Sequence, residues 1–97
     1  MLICRIVGTV VSTVKQDSLR GSTLLLVQRA DASGAQSGEP FIAADTVGAG
    51  EGELVMVATG SAARQVAKTR EAPVDAAIIG IIDSVAQSGG AIFRKTG

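Results

Sequence analysis

A succession of short β-type apolar segments, each cut off by a break rich in glycine, serine or proline, limits how this chain folds. Segments of that length bury too little surface alone and must pair into a single small sheet system. In the first thirteen or so residues, Leu2, Cys4, Ile6, Gly8, Val10 and Val14 share one parity, and Arg5, Thr9 and Thr13 share the other. This is the period of a strand with one apolar face. Residues 23–29 (TLLLVQR) form a second strand, apolar on both faces at its centre. Residues 41–45 (FIAAD) and 53–59 (ELVMVAT) form a third and a fourth. Residues 15–21, 30–40 and 46–52 read as loops, the last two punctuated by glycine.

The period then changes. Ser61 suits a helix N-cap, Ala62, Ala63, Val66 and Ala67 make an apolar stripe, and Arg64, Gln65 and Lys68 face outward. Pro73 separates this helix from residues 76–85 (AAIIGIIDSV), a final long strand. Ile79 and Ile81 point one way there, and Ile78 and Ile82 the other. A small barrel buries one face of each strand, so the second face calls for a neighbouring element or a neighbouring subunit. Gly89 and Gly90 make a turn, and residues 91–95 form a terminal strand. The expected fold is mainly β: a small closed OB-like β-barrel with one short α-helix, in one domain over residues 1–97.

Composition narrows the function. Nine Lys and Arg balance nine Asp and Glu, and the aromatics are Phe41 and Phe93 alone, which argues against nucleic acid as a partner. Without histidine, imidazole catalysis within one chain is ruled out, and Cys4 lacks companions for a zinc site. Cys4 lies on the apolar parity and reads as a buried thiol, so neither a metal nor a cofactor is expected. No apolar run approaches the roughly 20 residues of a bilayer span, and no signal peptide is visible. A soluble, cytoplasmic chain with no membrane partner is the expectation. The hydrophobic fraction of 46%, mostly small aliphatic side chains, fits either a tight core or a surface covered by further copies.

Gly48, Gly50 and Gly52 do not match a nucleotide-binding loop, because their spacing is G-x-G-x-G and a strand follows. They read as a turn or as a close approach of backbones around an axis. Asp83 stands in an otherwise apolar strand. A buried acid needs a partner, so an inter-strand or inter-subunit hydrogen bond is its expected role.

Taken together, the chain resembles the bacterial microcompartment vertex family, the shell proteins of carboxysomes and ethanolamine compartments. The stretches that carry the resemblance are residues 7–11 (VGTVV), 24–28 (LLLVQ), 44–45 (AD), 47–50 (VGAG), 52–53 (GE), 60–64 (GSAAR) and 73–85 (PVDAAIIGIIDSV). Ala62 stands where the family often has serine. The resemblance implies a non-catalytic shell protein, assembled as a cyclic homopentamer that caps vertices among hexameric shell proteins. On that basis Gly48, Ala49 and Gly50 are candidates for the five-fold axis, with an ordinary hairpin loop as the equal alternative. Arg64, Ile78, Ile82 and Asp83 are candidates for a subunit or tile interface, and a solvated Arg64 is an equal alternative. The other readings are a small OB-type ligand- or nucleic-acid-binding module, and an enzyme using two carboxylates, for which no cleft is visible.

Overall fold

The computed structural model describes residues 1–11, 23–64 and 75–95. The elements are β1 (Leu2–Thr9), β2 (Thr23–Arg29), β3 (Phe41–Asp45), β4 (Leu54–Thr59), α1 (Ser61–Arg64), β5 (Ala76–Ile81), β6 (Ser84–Gln87) and β7 (Gly90–Arg94). Five strands close into a barrel in the order β1-β2-β3-β5-β4, and β6 and β7 form a separate two-stranded sheet. The barrel is of the OB type expected. The expected loop at residues 15–21 and the rest of the expected helix lie outside the described residues, leaving the single helical turn α1.

Alternation fills the barrel. Cys4 and Ile6 of β1, Leu25 and Val27 of β2, Ala43 of β3, Val55 and Val57 of β4 and Ile78 of β5 meet in one cluster, each at most 3% exposed. Burying an aliphatic side chain of this size contributes roughly 2 kcal/mol. Closure also pairs both edges of every barrel strand, so no edge of that sheet is left open.

Two bulges alter the simple parity. Ile6 pairs with Val27 but Gly8 pairs with Leu26, which leaves Val7 as an extra residue. Beyond that point β1 turns over, and Gly8 faces Leu26 on the outside rather than following Ile6 inward. On β5, Ile78 pairs with Val57 and Gly80 with Met56, so Ile79 is the extra residue. Ile78 and Ile81 therefore both pack on the barrel cluster, although strict alternation separates them. Ile79 instead packs with Ala58, Ala63 and Ala77, a small second cluster that joins the turn of α1 to the barrel wall. The second apolar face of β5 is thus partly met by a neighbouring element of the same chain.

The expected long strand over residues 76–85 is broken. β5 ends at Ile81, and the Ile82 amide donates to the Leu54 carbonyl at 2.8 Å. Leu54 is the first residue of β4, so β5 has no further partner and the chain leaves the barrel. Asp83 falls in this break with its side chain 84% exposed. Within the single chain no sheet encloses it. After the break, β6 and β7 fold back on each other as a hairpin arm, joined through Ser88 and Gly89.

Candidate functional site

The glycine-rich connection between β3 and β4 and the root of the arm meet at one end of the barrel. Asp45, the last residue of β3, organises the connection. Its Oδ1 accepts hydrogen bonds from the Val47 and Gly48 amides at 3.0 and 3.1 Å, and its Oδ2 accepts from Ala49 at 3.0 Å. The Thr46 hydroxyl donates to the Ile78 carbonyl at 2.6 Å, tying the loop to β5. Gly48 and Gly52 have φ of +75° and +89°, a region that side chains with a Cβ avoid, so the turn itself explains both. Gly50 is different. Its φ is ordinary, and the nearest atom a Cβ would meet is Glu53 Oε1 at 3.4 Å. Among the described residues, nothing that a Cβ would meet requires glycine there.

Two charged side chains fasten this loop. Glu53 Oε1 accepts from the Gly50 amide at 2.6 Å, and its Oε2 receives the Lys95 ammonium at 2.7 Å. The Lys95 hydrogen bond, followed by that of Gly50, holds the Glu53 carboxyl below its ordinary pKa, and the same pair raises Lys95. Arg5, on the outer parity of β1, donates to the Gly52 carbonyl at 2.8 Å and to the Gly34 carbonyl at 3.2 Å. Its guanidinium carbon lies 6.0 Å from the centre of the Phe93 ring on the arm. Gly34 has a φ of +93°, which favours glycine, and the Arg5 guanidinium passes where its Cβ would stand. Arg5, Glu51, Glu53, Phe93, Arg94 and Lys95 line the shallow cleft between arm and barrel, which presents both signs of charge. Leu54, on the outer face of β4 and 1% exposed, lines its floor.

The candidate residues are dispersed. Gly48, Ala49 and Gly50 lie together in the loop, with Gly48 exposed and Ala49 packed against the barrel cluster. Ile78 is fully buried inside its own barrel, so it cannot face a neighbouring subunit; the β5 bulge directs Ile79 outward in its place. Ile82 is half-buried at the root of the arm and Asp83 is exposed beside it, its Oδ1 3.9 Å from Lys95 Nζ. The Arg64 side chain lies outside the described residues. Cys4 is buried as expected, and burial raises its thiol pKa, partly offset by Arg29. Among the described residues no group of three or more Cys, Asp or Glu is placed to hold a metal ion. No helix among them is long and apolar enough to cross a membrane.

The roles of Arg5, Asp45 and Glu53 were not anticipated from sequence. The alternation does place Arg5 on the outer face, but its partners come from loops 29 and 47 residues away.

A closed OB-type barrel with a clamped glycine loop and a projecting hairpin defines the structural class. The chain belongs to the family described as ethanolamine utilisation protein EutN/carboxysome, whose sequence model matches residues 1–83. It is 46% identical to the carboxysome shell vertex protein CcmL of Synechococcus elongatus, over 98% of this chain and 96% of that one. It is 40% identical to the microcompartment shell vertex protein EutN of Escherichia coli, over 98% and 100%. Among solved structures, CcmL of Nostoc sp. PCC 7120 superposes with a TM-score of 0.90 at 46% identity, covering 98% of this chain and all of that one. The GrpN pentameric microcompartment shell protein of Rhodospirillum rubrum gives 0.80 at 44%, covering 90% and 99%. These relatives are named for a structural part of a shell, and none of the names denotes an enzyme.

Proposed function

We propose that this chain is a shell vertex protein of a bacterial microcompartment, acting as one domain over residues 1–97 and assembling as a cyclic homopentamer. The observation that carries the reading is near-full-length similarity to a pentameric shell protein, at 44% identity and a TM-score of 0.80. A heterologous contact repeated about an axis closes into a ring, and a five-fold ring among hexameric tiles supplies the curvature a closed shell needs. The exterior of the barrel is suited to such contacts. Ile42 is 52% exposed and stands opposite Leu26 on the outside of β2 and β3. Met56 is 39% exposed and stands opposite Ile3 on the outside of β1 and β4. Covering apolar residues of this kind drives association.

Within the ring, the segment Gly48, Ala49 and Gly50 faces the axis. Gly50 supports that placement, because nothing among the described residues explains its missing side chain. Arg64, Ile82 and Asp83 face a neighbouring subunit or a hexameric tile, and the location is the microcompartment shell in the cytoplasm. Native mass spectrometry at low micromolar concentration tests the reading. A dominant pentamer is expected, with closed shells on co-expression with hexameric shell proteins. A stable monomer overturns it.

A further inference from the structure

We infer that the hairpin arm and the glycine loop form one conformational unit, joined through Arg5 and Glu53, so that unseating the arm loosens the loop. The two side-chain links between arm and barrel described above end on residues that also clamp the loop. Phe93 of β7 lies over the Arg5 guanidinium, and Arg5 holds the Gly52 carbonyl. Lys95 grips one oxygen of Glu53 while the other oxygen holds the Gly50 amide. Both ends of the Gly50–Gly52 segment therefore depend on a side chain oriented by the arm. The backbone ties the loop to β1 next to Arg5: the Gly52 amide donates to the Ile6 carbonyl at 2.8 Å, and the Ile6 amide to the Glu53 carbonyl at 2.9 Å.

Geometry gives the coupling a direction. The barrel core is closed by its own packing and does not need the arm, whereas the Lys95–Glu53 contact is partly exposed and individually weak. The arm is thus the part that opens, and the loop is what responds. The coupling itself rests on these contacts in a single chain. Its consequence, that the seating of the arm governs the backbone lining an axial opening, rests on the vertex reading.

Amide hydrogen exchange on the full chain tests it, using the double substitution F93A/K95M and, separately, E53Q, which keeps an oxygen for the Gly50 amide but removes the charge facing Lys95. In the double variant the arm amides and those of Gly50 and Gly52 exchange about tenfold faster, while those at Leu25 and Val27 are unchanged. In E53Q the arm amides accelerate similarly. Faster exchange in the arm with an unchanged loop overturns the coupling. Unchanged exchange in both also overturns it, because Phe93, Lys95 and Glu53 would then not hold the arm. Native mass measured on the same samples keeps the two readings apart. A wild-type monomer removes the vertex reading and leaves the coupling standing, and a pentamer with an indifferent loop does the reverse.

Discussion

Each barrel strand pairs on both sides, whereas β6 and β7 pair only with each other. The burial patterns follow. β4 reads buried at four of its six positions, while no residue of β6 or β7 is buried and only Val85 and Phe93 are half-buried. Residue type does not cause this contrast, since the arm carries Val85, Ala86, Ala91, Ile92 and Phe93. Connectivity does. Five strands close on themselves and exclude water, but two strands have one face and two edges left over, and such a hairpin is marginal alone. The arm is held by directional contacts, Arg5 under Phe93 and Glu53 to Lys95, rather than by a core of its own. The family's sequence match, over residues 1–83, likewise ends where β6 begins. A closed core sets the shape of the barrel, and the hairpin presents an exposed surface.

This contrast can be broken most severely at its strong side. Ile78→Ala removes the largest part of a side chain that is 0% exposed and should lower stability by about 3 kcal/mol in urea denaturation. A loss below about 1 kcal/mol would mean that the barrel core is not the principal source of stability. At the loop between the two regions, Asp45→Ala leaves the Val47, Gly48 and Ala49 amides without their acceptor. Stability should fall by about 1–2 kcal/mol, with faster exchange at those three amides.

Acid should separate the regions without mutation. Glu53 has a lowered pKa in the folded chain, owing first to the Lys95 hydrogen bond. Its contribution is therefore complete above the ordinary glutamate value and is lost as pH falls through the lowered, folded one. NMR titration should show the Phe93 ring and Lys95 signals moving in that acidic window while Val27 and Val57 stay fixed. Signals from arm and barrel moving together would erase the distinction. The smallest effect is expected at Ile92, 38% exposed on the arm. Ile92→Ser should alter unfolding stability by less than about 0.5 kcal/mol when measured on the dissociated chain.

Several elements were legible because a local pattern is enough to specify them. The span TLLLVQR became β2 with the boundaries its sequence suggests, and FIAAD became β3. The parity of Cys4 and Ile6 was also correct, because burying one face of a strand leaves a single register. Parity failed at Val7 and Ile79, where a bulge adds one residue and reverses everything after it. Nothing in VGT or IIG marks that insertion, since it depends on where the partner strand runs. The glycine loop was recognisable by composition, but the separation between Gly48 and Gly52, which the turn requires, and Gly50, which it does not, needed backbone angles.

The sequence alone determined that the chain is a set of short strands with an aliphatic core, without imidazole chemistry, and of the vertex-family type. The strands, the core and the missing imidazole follow from residue identity and near-neighbour spacing, and the family type from the resemblance carried by stretches such as residues 73–85. The tertiary structure decided that Ile78 faces inward and Ile79 meets α1, that no sheet of its own chain encloses Asp83, and that the last strands leave the barrel as an arm. It also brought Arg5 to Gly34, Gly52 and Phe93, and Glu53 to Gly50 and Lys95. Barrel closure is the physical reason: once β1 and β4 meet, residues far apart in the chain share one rim, and which of them touch depends on the ring as a whole.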